Sequence, residues 1–110
     1  MAGRKLFTNR SPRGMNVTLI VRASADPRNT AGTESFYLNP GQSEWHDYGN
    51  TIDIYLNGIK LIAAVDGDMM SQQYVVIIRG SPLDDALNRN NGVDFDISGF
   101  NFSLSTRQVT

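Results

Sequence analysis

Thr51–Arg79 reads TIDIYLNGIKLIAAVDGDMMSQQYVVIIR, and the rest of the chain is best understood outward from it. Asn57-Gly58 is a strong two-residue hairpin signal, because a type I′ turn needs positive φ at both central positions. With that turn in place Leu56 meets Ile59, Ile54 meets Leu61 and Ile52 meets Ala63, all on one apolar face. The opposite face carries Asp53, Tyr55, Lys60 and Ile62 and is more polar. Turn chemistry and alternation agree, and both call for β structure. Asp66-Gly67-Asp68 marks the next reversal. Tyr74–Ile78, YVVII, is apolar on both faces and predicts a central strand covered on both sides.

Before this stretch, Met15–Arg22 alternates as a core strand with Val17, Leu19 and Val21 on one side. Ala23–Thr33 is rich in small and polar residues and predicts a long loop. Glu34–Leu38 predicts a short strand, and Asn39-Pro40-Gly41 a turn. After it, Ser81-Pro82 followed by Asp84 and Asp85 predicts a short helix near 82–88, with Ser81 as N-cap. Asn90-Asn91-Gly92 stops that helix. In Val93–Leu104 a two-residue loop at Ser98-Gly99 pairs Ile97 with Phe100, Phe95 with Phe102 and Val93 with Leu104. A single strand bulged at Gly99 is the competing reading. Seven or eight short strands at this spacing predict an all-β antiparallel sandwich over 15–110, with a small β-barrel as the alternative. Met1–Gly14, in which Arg4, Lys5, Arg10 and Arg13 precede the first acid, predicts a basic arm or a short edge strand.

Composition narrows the function classes. The 110 residues allow one core, and the chain has no cysteine, which removes disulfides, thiolate metal sites and cysteine nucleophiles. A net charge of −1 argues against nucleic acid as a partner. No apolar run approaches the roughly 20 residues that span a bilayer. The N-terminus has no apolar core of the kind a secretory signal needs, so the expectation is a cytoplasmic or non-classically exported protein. Arginine outnumbers lysine eight to two, a bias typical of interfaces.

The one histidine, His46, has no serine in a strained Gly-x-Ser-x-Gly turn to serve. A small hydrolase would have to use His46 with Asp47 or Glu44. Asp66/Asp68 and Asp94/Asp96 are each two apart, but carboxylates on a wet face lack the raised pKa that acid catalysis needs. Asp66 and Asp68 could hold Ca²⁺, although the spacing of an EF-hand is absent. Tyr37, Trp45, His46, Tyr48 and Asn50 gather aromatic and amide groups in the first half, the equipment of a sugar or protein site. The competing reading seats Trp45 in the sandwich core. The balance favours a non-catalytic module that binds a protein partner or a second copy of itself, with Arg4, Lys5, Arg10 and Arg13 reaching the partner. A lectin-like, calcium-assisted domain is the alternative. No cofactor is expected.

Overall fold

A computed structural model describes residues 3–23, 30–49 and 55–109. In chain order it contains β1 Gly3–Asn9, β2 Met15–Arg22, β3 Thr30–Leu38, β4 Ser43–Tyr48, β5 Leu56–Val65, β6 Asp68–Val75, α1 Pro82–Arg89, β7 Gly92–Ser98 and β8 Asn101–Arg107. Sheet 1 runs β4-β1-β7-β8 and sheet 2 runs β3-β2-β5-β6. The two sheets pack face to face as a β-sandwich with one helix, and they do not close into a barrel. Every pairing is antiparallel except β1 with β7, which is parallel.

The core follows the expected alternation on β2, where Met15, Val17, Leu19 and Val21 are buried. Leu56, Ile59, Leu61, Ala63 and Val65 of β5 face them, and Phe7, Val93, Phe95 and Ile97 come from sheet 1. Helix α1 crosses from sheet 2 to sheet 1 and plugs Leu87 into this core. Ser81 caps it as expected, its hydroxyl accepting from Asp84 N–H at 3.3 Å.

Asn57-Gly58 is not a turn. Ile20 pairs with Gly58 but Val21 pairs with Leu56, so Asn57 is the extra residue of a β-bulge. The glycine is there for space rather than for positive φ. A Cβ on Gly58 would stand 2.5 Å from the Tyr74 carbonyl oxygen. Leu56 and Ile59 therefore do not pair across a turn. Ile59 faces Leu19 and Tyr74, Leu61 faces Val17 and Gln72, and Ala63 faces Met70. Ile52 and Ile54 lie outside the described residues. The hairpin of this stretch is made instead by Asp66 (φ 51°) and Gly67 (φ 88°), with Val65 paired to Asp68. Positive φ at both central residues is the type I′ signature.

The C-terminal hairpin exists with its loop one residue later, at Gly99-Phe100. Gly99 takes φ 61° and Ser98 pairs with Asn101. Ile97 then faces Phe102, and Phe95 faces Leu104. Both strands keep the same apolar face because the slip moves the pairing by an even number. A glycine at the first central position suits a type II′ turn, and it leaves Phe100 55% exposed.

Three further expectations are corrected. Gly3–Asn9 is neither an arm nor an edge strand but lies between β4 and β7. Strand β3 begins at Thr30, inside the stretch read as loop; residues 24–29 lie outside the described residues. Tyr74–Ile78 is not a central strand, because β6 borders sheet 2 and ends at Val75, leaving Ile77 and Ile78 exposed.

Candidate functional site

Strand alternation separates the residues expected to form a ligand site. On β4, Trp45 and Asp47 point to the outer face while Glu44, His46 and Tyr48 point inward. Trp45 is 41% exposed, with the Arg4 guanidinium 5.1 Å from its ring centroid, so it is not a core aromatic. Tyr48 is buried, and burial pushes its phenol well up. His46 stacks on Phe36 with centroids 3.6 Å apart, and its Nε2 lies 3.5 Å from Glu44 Oε1 without a hydrogen bond. Tyr37 lies in the other sheet, its ring against Gly14. Asn50 lies outside the described residues. The four described side chains, Tyr37, Trp45, His46 and Tyr48, face three directions and share no platform. Asp47 turns toward Arg4, away from His46, so of the two carboxylates the hydrolase reading names, Glu44 alone stays beside the imidazole.

The four basic residues are likewise dispersed. Arg4 ion-pairs with Asp47, Arg10 with Asp94 and Arg13 with Asp66. The Arg13 pair occupies one oxygen of Asp66, while Asp68 stands exposed at the start of β6. Among the described residues no three His, Cys, Asp or Glu side chains gather as metal ligands. Asp94 is buried under two arginines, with Oδ2 2.9 Å from Arg107 Nε and 3.1 Å from Arg10 Nη2, whereas Asp96 is exposed. The expectation of two wet carboxylates holds for one of them.

Lys5 points between the sheets, where its Nζ donates to the Asn90 carbonyl at the end of α1. Burial pushes its amine down to about 8 from 10.5. Between those values the unfolded chain holds a proton that the folded chain does not, so stability rises with pH across that window. Tyr48 acts in the opposite sense: its contribution is present below the ordinary 10.0 and is lost above it. Urea midpoints should therefore climb from about pH 8 to about pH 10 and then fall, and Lys5→Met should flatten the climb. A wild-type midpoint that does not change over that range would refute the assignment.

Sequence reasoning missed the most developed polar cluster. Arg22, at the end of β2, is 3% exposed and Asp84, in the first turn of α1, is 7% exposed. Arg22 Nη2 donates to Asp84 Oδ1 at 2.7 Å, and its Nε donates to Asn57 Oδ1 at 3.2 Å. Gly80 N–H and the Asn88 amide complete the carboxylate at 2.8 and 2.7 Å. Burial pushes the Asp84 carboxyl up, but the hydrogen bonds from Arg22, Gly80 and Asn88 and the charge of Arg22 outweigh it and leave it below its ordinary value. A cleft of about 350 Å³ opens beside this pair, rimmed by Tyr55, Arg79 and Arg89. The cluster is saturated internally and latches the helix to sheet 2. It offers neither a nucleophile nor an acid–base pair.

The other missed feature is a surface. Along β6 and the segment after it, Met69 is 71% exposed, Val75 39%, Ile77 79% and Ile78 68%. Ten consecutive residues, Met69–Ile78, contain no charge, proline or glycine. Among the described residues no strand pairs with the outer side of β6. The charge-free run was plain in the sequence, but the same run also describes a buried strand.

No protein-family model matches the sequence, and no curated protein matches it. Among solved structures, the T6SS lipoprotein TssJ1 from Pseudomonas aeruginosa is similar over 100% of both chains, with a TM-score of 0.50 and 8% identity. Serratia marcescens Lip, described as a membrane bound component of the Type VI Secretion System, aligns over 100% of both chains with a TM-score of 0.44 and 11% identity. The expectation of a cytoplasmic or non-classically exported protein is withdrawn on this finding, because the TssJ1 chain is a lipoprotein. At 8% identity, the likeness to TssJ1 is one of fold: this chain has the eight-stranded, one-helix sandwich described above.

Proposed function

We propose that the protein is a non-catalytic assembly module, exported and held at a membrane, that docks a protein partner along the free edge of β6 and the segment to Ile78. The observation that carries this reading is the exposure of Met69 and Val75 on β6, whose outer edge is unpaired among the described residues, and of Ile77 and Ile78 just after it. A 12.2 kDa chain whose core is already filled has no packing reason to leave two isoleucines mostly in water. Contiguous exposed apolar surface of this kind marks interaction sites. The shared fold with a lipoprotein of a secretion system supports the setting, and the arginine bias supports a protein interface.

The test is made in the producing cells with the natural gene product. A photo-crosslinking amino acid at Ile77 should give a discrete protein adduct recovered with membranes, and the same group at the exposed Asn101 on sheet 1 should not. Equal adducts from both positions, or none from Ile77, would sink the docking surface. Recovery of the protein in the cytoplasmic fraction would sink the setting.

A further inference from the structure

Four strands border the sheets, and natural proteins protect such edges with charges, kinks or covers. Strand β3 carries Glu34 and an irregularity at Gly32, where φ is +124° and the register with β2 shifts. Strand β4 carries Glu44 and Asp47. The C-terminal end of β8 is tied to the helix end by Asn90, whose amide reaches Thr106 Oγ1 at 3.1 Å. Among the described residues the β6 edge has no such protection over Met69–Val75.

The phase of its free backbone groups is fixed. Val76 N–H donates inward to the Asn57 carbonyl at 2.8 Å. Inward- and outward-pointing residues alternate along an antiparallel ladder, and β5–β6 keeps one register throughout. Val75, Gln73, Ser71 and Met69 therefore aim their N–H and C=O groups away from the protein.

We propose that this edge pairs with the same edge of a second copy, antiparallel about a two-fold axis at Gln72. The proposal rests on the docking surface inferred above and names its occupant. Met69 then faces Val75 of the second copy, Ser71 faces Gln73, Met70 faces Tyr74, and Gln72 faces itself. Every outward-pointing residue meets another outward-pointing residue, which gives about eight new hydrogen bonds. The apolar pair Met69–Val75 forms twice.

Charge favours this arrangement. The strand begins at Asp68, beside the Asp66 turn, and the segment after it ends at Arg79. Among the described residues neither Asp68 nor Arg79 has an ion-pair partner within its own chain. Antiparallel pairing sets Asp68 opposite Val76 of the second copy, three residues from that copy's Arg79. Parallel pairing would set like charge on like. The interface is isologous and closes as a dimer, turning two four-stranded sheets into one sheet of eight.

The chain has no cysteine, so single introduced thiols report the register on the full-length protein. Under mild oxidation Gln72→Cys should crosslink to a disulfide dimer. Met70→Cys should not, because its counterpart lies four residues along the opposing strand, beyond the ~7 Å Cα separation that a disulfide spans. In analytical ultracentrifugation at tens of micromolar, wild type should sediment as a dimer. Gln72→Lys, which sets like charges face to face, and Gln73→Pro, which removes only an outward donor, should sediment as monomers with unchanged circular dichroism. A monomeric wild type, or equal crosslinking at 70 and 72, overturns the proposal. A monomeric wild type alongside a cellular Ile77 adduct to a different protein overturns self-pairing while leaving the docking surface intact.

Discussion

Arg22→Met should cost about 3–5 kcal/mol in urea unfolding at neutral pH, because it removes one member of a buried ion pair and strands the other. The side chains of Arg22 and Asp84 are 4% and 10% exposed and meet at 2.7 Å. Without the guanidinium, the carboxylate keeps only Gly80 N–H and the Asn88 amide, and Asn57 Oδ1 loses the Arg22 Nε donor. The pH dependence separates this from simple loss of packing. In wild type the Asp84 carboxyl is held below its ordinary 3.8, so its contribution is present above that value and is lost as pH falls through the folded value. In the variant, burial acts without Arg22 and the carboxyl moves up. The deficit should then shrink between about pH 7 and about pH 4, as the stranded group takes a proton. Paired urea titrations at the two pH values decide the matter. A deficit below about 1 kcal/mol, the range of surface pairs, would mean that water reaches the cluster.

Phe7→Ala should cost a similar amount, about 3–5 kcal/mol. Phe7 is fully buried where the two sheets meet. Its ring stacks 6.2 Å from Phe95 at an interplanar angle of 8° and lies 5.3 Å from Phe36 across the sandwich. Removing it leaves a cavity among three elements that backbone pairing holds apart, so little collapse can fill it. Deleting residues 1 to 13 should go further and leave no cooperative unfolding transition, because β4 and β7 would lose the strand that joins them. Circular dichroism and urea titration of both variants measure the effect. A truncated chain that still melts cooperatively would restore the dispensable arm that composition suggests.

Local signals were read correctly where their cause is local. Ser81-Pro82 starts a helix, Asp66-Gly67 reverses the chain, and Val17, Leu19 and Val21 alternate into the core, each because neighbouring residues decide it. Asn57-Gly58 misled because its reason is distant. Gly58 makes room for the Tyr74 carbonyl, and Asn57 serves a buried arginine 35 positions earlier. Gly3–Asn9 looked polar because Lys5 and Asn9 both point inward, each satisfied by main-chain partners far along the chain. Asn9, fully buried, donates to the Arg13, Leu38 and Asn39 carbonyls and accepts from Ser11. The proposed interface escaped notice because a strand free of charge reads the same whether it is covered by the fold or left bare.

Chain order and sheet order disagree at β1. Strand β1, ahead of every other strand in the chain, has its place between β4 and β7, with Leu6 set beside Gly92. Sheet 2 draws all four of its strands from Met15–Val75, before α1, β7 and β8 are made. Sheet 1 must wait until the β7–β8 hairpin has left the ribosome, and until then Phe7 lacks the Phe95 ring it stacks on. Contacts of such high order close in milliseconds to seconds rather than microseconds. Until β7 and β8 have emerged, nascent chains of this topology remain open to chaperones, and to any export channel that accepts only unfolded polypeptide.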